Sequence, residues 1–225
     1  MHTQLNILPK RVLVLGASGG VGGFAVRFAA ERGHQVTAVA RGDLAVPPGV
    51  SLLRGDVTQP DVIDRAVRGQ DVVLCALGIR RKNHQNPWSP LASPADFTEA
   101  TARSLVSAMR EHGVPRVIAV SAAGVGDSAI GLNLMMRFMI RFTNVGANYR
   151  DLDGMEAVYR ESGLDWCCVR PTGLKDGPAT GSVASIPDFP FNAWISRADV
   201  AKWMVDHLET DFSQARTPII TEARS

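Results

Sequence analysis

Short runs of apolar residues recur along the chain, and the longer segments between them carry apolar residues at every third or fourth position. The short runs predict buried β-strands, and the periodic segments predict amphipathic helices. The predicted strands cover residues 12–15, 36–40, 50–53, 72–76, 117–120 and 166–169. The predicted helices cover residues 21–32, 61–68, 94–111 and 148–162.

This alternation of strands and helices predicts the fold. Strands that are apolar throughout and separated by helices are typical of a parallel sheet covered on both faces. Because crossovers in such sheets are right-handed, we expect a doubly wound, Rossmann-type α/β fold with the strand order 3-2-1-4-5-6. The chain has no internal repeat and no linker. We therefore interpret residues 1–225 as a single domain with small C-terminal elements on the substrate side.

The helix that follows the fourth strand has the clearest start signal. Ser93 is expected to be its N-cap, Pro94 its first residue, and Asp96 part of a capping-box-like start. Gly113 is expected to end this helix.

The first strand is followed by a glycine-rich loop that opens the first helix. Its residues are Gly16, Ala17, Ser18, Gly19, Gly20, Val21 and Gly22. Glycines permit the tight turn and let backbone N–H groups approach a pyrophosphate at the positive end of a helix. Because the loop lies between a strand and an amphipathic helix, which is the context that the motif requires, we predict that it binds a dinucleotide cofactor.

The residues after the second strand indicate which cofactor is bound. Arg41 directly follows the strand, where the adenine ribose is expected, whereas Asp43 lies beyond a glycine. An acidic residue here favours the 2′-hydroxyl of NAD, and arginine suits the 2′-phosphate of NADP by charge and by planar geometry. We therefore predict NADP (NADPH), against the alternative that Arg41 is a solvated surface residue.

Two further strand ends are predicted to contact the cofactor. After the third strand, Asp56 is expected to meet the adenine amino group and Val57 the adenine ring, with a helix cap as the alternative role of Asp56. After the fourth strand, Ala76, Leu77 and Gly78 lie where the cofactor backbone must pass closely.

Composition narrows the classes of partner. Lys+Arg 24 against Asp+Glu 22 gives a net charge of +2, which offers no broad basic face for nucleic acid or anionic lipid. The first residues lack the pattern of a signal peptide, and no run is apolar enough for a membrane span. Cys75, Cys167 and Cys168 have no disulfide or metal-ligand spacing. We therefore expect a reduced, cytoplasmic setting without a metal, a nucleic acid or a membrane as partner.

Two later segments carry a family resemblance. They are Ser121-Ala122-Ala123-Gly124 and the stretch from Ser162 to Gly173, which contains Ser162-Gly163-Leu164-Asp165-Trp166 and Arg170-Pro171-Thr172-Gly173. With the glycine-rich loop, they resemble the atypical short-chain dehydrogenase/reductases with an NAD(P)H-binding domain, near the flavin/biliverdin-IXβ reductases and the NmrA-like proteins. The resemblance covers Arg11 to about Leu208. It implies NADP bound across the strand ends, with Ser121 and Pro171 near the nicotinamide.

The chain departs from the family pattern at the catalytic pair. Most short-chain dehydrogenases use Tyr-x-x-x-Lys, in which the lysine lowers the tyrosine pKa and orients the cofactor ribose. Here Asp153 stands four residues after Tyr149, and Gly163 stands four residues after Tyr159. The histidine that follows the proline pair in the flavin/biliverdin reductases is also missing, because Thr172 and Gly173 occupy that region.

These departures favour an acceptor that needs little help from the protein. Hydride passes directly to a flavin, and the site then supplies geometry and excludes solvent. We predict an NADPH-dependent reductase of a flavin-like, quinone or other planar acceptor, with Ser121 and Tyr149 as candidate catalytic residues. Ser121 is expected to donate a hydrogen bond to the substrate or the nicotinamide, or else to serve as a turn residue. The alternatives are a non-catalytic NADP(H) sensor of the NmrA type and a sugar-nucleotide epimerase.

We expect the protein to be a monomer or a homodimer. The roles of two segments stay open. The connection over residues 79–93 contains three cations, His84 and Trp88. These side chains suit a planar, anionic small-molecule substrate, but a solvated loop that Trp88 anchors is an equal alternative. His84 is either a proton donor or an exposed loop residue. The methionine-rich stretch over residues 132–142 is a lid, a helix packed in the core or a dimer contact.

Overall fold

The computed structural model describes residues 8–83, 85–188 and 192–223. The centre of its main sheet consists of β1 (Arg11–Leu15), β2 (Gln35–Ala40), β3 (Ser51–Arg54), β4 (Val72–Cys75), β5 (Arg116–Val120) and β6 (Asp165–Pro171). Neighbours pair in parallel in the order β3-β2-β1-β4-β5-β6. The predicted α/β fold and its strand order are confirmed. His84 and the first seven residues lie outside the described ranges.

Each central strand contributes to two cores, because successive side chains point to opposite faces of a sheet. On one face, Val12 and Val14 pack with residues of α1 (Gly20–Glu31) and α6 (Arg197–Asp206). On the other face, Leu13 and Leu15 pack with residues of α2 (Pro60–Val67), α3 (Phe97–Glu111) and α5 (Val145–Arg160). Helices therefore cover both faces, as the apolar character of the strands predicts.

The sheet is wider than the sequence predicts. Four short strands, β7 (Gly173–Lys175), β8 (Val183–Ile186), β9 (Trp194–Ser196) and β10 (Ile219–Glu222), follow β6. Strand β10 joins β6 in parallel, and β8 pairs with β10 in the antiparallel sense at the edge. Strands β7 and β9 form a separate parallel pair. The C-terminal region thus extends the sheet beyond β6 by two strands among the described residues.

The predicted start of the third helix is wrong. Helix α3 begins at Phe97, and the Ser93 hydroxyl accepts a hydrogen bond from the Arg80 backbone N–H at 2.9 Å. The start of α3 is capped instead from α5, because the buried Asp151 carboxylate accepts from the backbone N–H groups of Thr98 and Glu99 at 3.0 Å. A carboxylate at the positive end of a helix is stabilising, so this contact fixes α3 against α5.

A further helix, α4 (Leu134–Phe142), lies between β5 and α5 and follows a 3₁₀ turn over Gly126–Gly131. None of its residues is buried, although Leu132 just before it is. The interpretation of this stretch as a helix packed in the core is therefore wrong for α4. Among the described residues, no helix combines the length and the apolarity needed to cross a membrane.

Candidate cofactor-binding site

A cleft of about 400 Å³ opens at the carboxyl ends of β1, β2, β3 and β4. This is the edge where parallel α/β sheets bind ligands, because the loops that leave the strands there diverge. Its lining includes the following residues predicted to contact a cofactor: Gly16, Ser18, Gly19, Arg41, Asp56, Val57, Ala76, Leu77 and Gly78.

The glycine-rich loop is packed too tightly for larger residues. Gly16 has a φ of +83°, and a Cβ on it would lie 2.5 Å from the carbonyl oxygen of Ala76. A Cβ on Gly22 would collide with the carbonyl group of Gly16. The two glycines therefore bring β1, β4 and α1 together, so that α1 begins directly after Gly19, which lines the cleft.

The start of α1 suits an anionic group. Within the described residues, no side chain caps this helix, and its first turn contains no acidic residue. The first N–H groups of a helix lack intrahelical partners and carry partial positive charge. A pyrophosphate would satisfy these donors, so the loop fits the phosphates of a nicotinamide dinucleotide.

The remaining predicted loop residues do not line the cleft as the structure describes it. Ala17 and Val21 are buried in the core on the α1 side of the sheet. Gly22 packs against Gly16, and Gly20 is the exposed first residue of α1. These four residues shape the turn and its surroundings.

Arg41 and Asp43, the two charged residues that could contact the adenine ribose, have different surroundings in the structure. Asp43 forms a salt bridge with Arg54. Arg41 lines the cleft, and among the described residues it has no salt-bridge partner. The acidic side chain that would suit the ribose of NAD is therefore in an exposed ion pair outside the cleft lining, whereas the guanidinium that suits a phosphate lines the cleft.

Asp56 lines the same part of the cleft and is held by a local turn. Its carboxylate accepts hydrogen bonds from the backbone N–H of Thr58 at 3.0 Å and from the Thr58 hydroxyl at 2.9 Å. The bond from the Thr58 backbone lowers the pKa of Asp56, burial opposes this, and the charge of Arg41 adds a smaller lowering. Asp56 does not cap α2, whose N-cap position is Gln59. It is a fixed carboxylate beside Arg41.

The connection over residues 79–93 forms one wall of the cleft. It doubles back on itself, with a bridge between Arg81 and Leu91 and a bond from the Ala92 N–H to the Arg80 carbonyl oxygen. The cleft-lining residues that sequence reasoning missed are Val39, Ala40, Gly55, Thr58, Arg80, Ala92, Ser93, Pro94 and Phe97. Part of this set was foreseeable, because the segment before α3 reaches the same sheet edge as the end of β4.

Ser121, a predicted catalytic residue, has a different partner from the one expected. It is buried, and its hydroxyl donates to Oε1 of the buried Glu156 at 2.5 Å. The same carboxylate accepts from Nε of the buried Arg170 at 2.9 Å, and its Oε2 accepts from Nη2 at 2.6 Å. Nη1 of Arg170 reaches Asp127 at 2.5 Å. The Ser121 proton is therefore used inside the protein.

Burial alone lowers the pKa of Arg170, but the hydrogen bonds and charges of Glu156 and Asp127 outweigh it and raise the pKa overall. Arg170 is thus a permanent cation held between two carboxylates. The neighbouring Pro171 is buried, and its carbonyl oxygen accepts from the Ala123 N–H at 3.0 Å. Like Ser121, Pro171 is not among the cleft-lining residues.

Tyr149, the other predicted catalytic residue, is half-buried at the start of α5. Its hydroxyl donates to the carbonyl oxygen of Ala123 at 3.2 Å, and burial raises the pKa of the phenol. A proton donor in this fold class needs a lowered pKa, and Asp153 offers no cation to lower it. In this structure the Tyr149 hydroxyl connects α5 to the loop after β5 through its bond to Ala123.

Several large apolar side chains are exposed in the loop before α3 and in the segment around α4. They are Trp88, Ile130, Leu134, Met135, Phe138 and Phe142. Trp88 is 60% exposed, and the role of this loop, as a substrate contact or as a solvated loop that Trp88 anchors, stays a prediction. The side-chain amide of Asn144 donates to the carbonyl oxygens of Trp88 and Ser89 at 3.1 Å, which ties the loop to the junction of α4 and α5.

Away from the cleft, Asp64, Glu111 and His112 bring potential ligand atoms within 4.8 Å of one another. The Asp64 carboxylate is already bonded to Arg68 at 2.5 Å and to His112 at 2.6 Å. The cluster is therefore explained as an ion-pair network on α2 and α3. The three cysteines are buried with free thiols, and burial raises the pKa of Cys75 to about 11.

Comparison with known proteins agrees with this geometry. The model of the family described as NAD(P)H-binding matches residues 16–211. An uncharacterised chloroplastic protein of Arabidopsis thaliana is 31% identical over 210 residues, which cover 88% of this chain and 72% of that protein.

Two solved structures share the fold. ChuY, an anaerobillin reductase from Escherichia coli O157:H7, has a TM-score of 0.75 at 23% identity over 96% of this chain and 98% of its own. A short-chain dehydrogenase/reductase from Veillonella parvula in complex with NADP has a TM-score of 0.74 at 19% identity over 95% of this chain and 94% of its own. The family match spans the glycine-rich loop, the cleft and the α-helices from α1 to α6. The chain therefore belongs to the NAD(P)H-binding family.

Proposed function

We propose that the protein is an NADPH-dependent reductase of a planar small-molecule acceptor such as a flavin, a quinone or a tetrapyrrole. The observation that carries the proposal is the contrast between the two ends of the site. The cleft offers a phosphate cradle and Arg41, for which the described residues provide no salt-bridge partner, whereas neither Tyr149 nor Tyr159 is followed by the lysine of a Tyr-x-x-x-Lys pair. When bound, NADPH supplies the hydride, and an acceptor of this class needs no acid from the protein.

The preference for NADP over NAD is supported by the pairing at the ends of β2 and β3. Arg41 lines the cleft without a salt-bridge partner among the described residues, and Asp43 is engaged by Arg54. A hydrogen bond to a charged group contributes about 1.5–3 kcal/mol, which is roughly 10- to 150-fold in affinity. We therefore assign Arg41 to the 2′-phosphate, with Asp56 and Val57 beside the adenine.

The proposed class of acceptor is supported by the surroundings of Tyr149 and by the loop over residues 79–93. The pKa of Tyr149 is raised by burial, which disfavours proton transfer to a carbonyl substrate. Arg80 lines the cleft and Trp88 is exposed on the same loop. A cation in the cleft and an exposed aromatic residue on the same loop suit a planar, anionic acceptor. ChuY, which shares the fold, is itself a reductase.

A non-catalytic NADP(H) sensor is the second candidate. The observation that favours it is the engagement of both predicted catalytic hydroxyls inside the protein, that of Ser121 by Glu156 and that of Tyr149 by Ala123. Either function is compatible with a single domain. The cytoplasmic location stays a prediction, since the Arabidopsis relative is chloroplastic.

Cofactor binding and turnover test the two candidates separately. Calorimetry should give tighter binding of NADPH than of NADH, and Arg41→Ala should erase most of that difference. Oxidation of NADPH should be measurable with FMN, riboflavin, a quinone or biliverdin, and small with simple ketones. Equal affinity for both cofactors would contradict the assignment to NADP. Tight NADPH binding without turnover of any of these acceptors would replace the reductase with the sensor.

A further inference from the structure

The side chain of Arg197 lies beside Gly20, the first residue of α1. Arg197 is not part of the glycine motif. An ideal Cβ on Gly20 would lie 2.5 Å from Cδ of Arg197 and 3.3 Å from its Nε. Gly20 has no positive φ, so its backbone conformation does not demand glycine. The space that a side chain at position 20 would fill is taken by an arginine from α6, more than 170 residues later in the chain.

Arg197 lies at the N-terminal end of α6, where the helix dipole disfavours a positive charge. It is the first residue of α6, whose N-cap Ser196 accepts from the Asp199 N–H at 2.9 Å. A positive charge in the first turn of a helix is opposed by the helix dipole. The only salt bridge of Arg197 among the described residues is with Asp176 at 2.7 Å, and the Asp176 side chain is 94% exposed. An exposed pair of this kind holds an arginine weakly.

Arg197 and the start of α1 are both electropositive, so an anion bound between them would be stabilised by both. The first turn of α1 presents unpaired N–H groups without a side-chain cap. Cδ and Nε of Arg197 lie beside Gly20, the first residue of that turn, and α1 packs against α6. A phosphate bound to these N–H groups would therefore meet a cation from the second helix, with bidentate geometry open to it.

We propose that Arg197 is a binding residue for the pyrophosphate of the nicotinamide cofactor, and that it exchanges its surface partner Asp176 for the phosphates when the cofactor binds. This deepens the proposed function and rests on cofactor binding at the glycine-rich loop. Gly20 is then glycine to leave room for the arginine. The site combines a local motif at residues 16–22 with a cation that only the fold brings to it.

Binding measurements on two arginine variants distinguish this role from that of Arg41. Because NADPH and NADH share the pyrophosphate, Arg197→Gln should weaken both by a similar factor of about 10- to 150-fold. Arg41→Ala should weaken NADPH alone. With adenosine 2′-monophosphate as the probe, which lacks a pyrophosphate, Arg41→Ala should lower affinity and Arg197→Gln should not. Arg27→Gln, on the exposed surface of α1, is the matched control and should leave all three affinities unchanged.

A second variant moves the same guanidinium without removing it. Gly20→Ala introduces the Cβ that Arg197 excludes, so it should weaken NADPH and NADH binding in the unmodified background and have little effect when Arg197→Gln is already present. Asp176→Asn removes the competing carboxylate and should tighten both. Thermal unfolding will show whether Arg197→Gln folds. If it does not, the effect of Gly20→Ala on NADPH and NADH affinity decides whether Arg197 binds the pyrophosphate.

The outcomes that overturn the inference are separate from those that overturn the proposed function. If the unmodified protein binds NADPH and Arg197→Gln binds it equally well, Arg197 is not a pyrophosphate residue. A selective loss of NADPH affinity with NADH affinity unchanged would place Arg197 at the 2′-phosphate and would also contradict the proposal. Failure of the unmodified protein to bind either cofactor would refute the proposed function itself.

Discussion

The ends of β1 to β4 and the ends of β5 and β6 differ in how their chemistry is built. At the first edge, backbone geometry makes the site, because tightly packed glycines bring the start of α1 to a cleft. At the second edge, side chains turn inward, and Ser121, Glu156 and Arg170 form a buried hydrogen-bonded group. A site made by the backbone is readable from glycine spacing, whereas the partner of a side chain depends on which residues the fold brings beside it.

The buried group at the second edge joins several parts of the structure. Ser121 follows β5, Glu156 belongs to α5, Arg170 belongs to β6, and Asp127 belongs to the 3₁₀ turn that leads to α4. Glu156 and Arg170 are almost fully buried. Such a pair contributes little net stability relative to apolar residues, but removing one partner leaves an uncompensated buried charge. The group therefore fixes the ends of β5 and β6 in one arrangement.

The largest effect on stability is expected from Glu156→Gln. The amide keeps the shape of the side chain but removes the charge that balances Arg170, which costs about 3–5 kcal/mol at buried pairs. For a chain of this size, the melting temperature should fall by roughly 10 °C. Chemical denaturation of Glu156→Gln beside the unmodified protein measures the loss. A change below about 1 kcal/mol would mean that water or Asp127 already neutralises Arg170.

Asp127→Asn is the matched control at the exposed end of the same group. Its side chain is 84% exposed, so the loss of stability should be small. The bond from Arg170 lowers the pKa of Asp127 against the effect of burial. The contribution of Asp127 is therefore present above its unfolded pKa of about 3.9 and is lost as the pH falls through the lowered folded value. The difference between the two proteins should disappear on strong acidification.

The next effect in size tests the first edge. A Cβ on Gly19 would lie 3.2 Å from the Gly16 carbonyl oxygen, and Gly19 lines the cleft, so Gly19→Val would place branched carbons where the pyrophosphate must approach. NADPH affinity should fall by about 100-fold or more, equivalent to about 2.7 kcal/mol. The cooperative thermal transition should survive. Gly42→Ala, in open space with an ordinary φ, is the control. Normal NADPH binding by Gly19→Val would show that the pyrophosphate does not bind at this loop.

Much of the fold is predictable because its signals are local. The six central strands are apolar runs, and each observed boundary lies close to the predicted one. Strands β8 and β10 were missed because neither is a continuous apolar run: β8 has no buried residue, and β10 has only two consecutive apolar residues, Ile219 and Ile220. The start of α3 was misread because its cap comes from Asp151, which no pattern near residue 96 reveals.

The residues of the candidate site also fall into two groups, those that local sequence predicts and those that depend on tertiary packing. Arg41 and the glycines are fixed by their place after a strand, so the sequence identifies them. Glu156 could have been noticed, because it lies four residues after the buried Leu152 on the apolar face of α5. Its partner Arg170 and the position of Arg197 over Gly20 depend on packing between distant elements. Sequence periodicity contains no information about such contacts.

The smallest effect is expected at Tyr149, and it tests whether the second edge takes part in chemistry at all. Tyr149→Phe removes one hydrogen bond to Ala123, so stability should change by about 1 kcal/mol or less. General acid catalysis contributes typically about 10²–10⁴-fold to a rate. A proton-donating Tyr149 would therefore reveal itself as a loss of that size in NADPH-dependent reduction of FMN. We expect instead a change within several-fold, because a raised phenol pKa and the absence of a lysine at position 153 leave Tyr149 without the means to act as an acid. A loss beyond 100-fold with unchanged NADPH affinity would make Tyr149 catalytic and bring the second edge into the reaction.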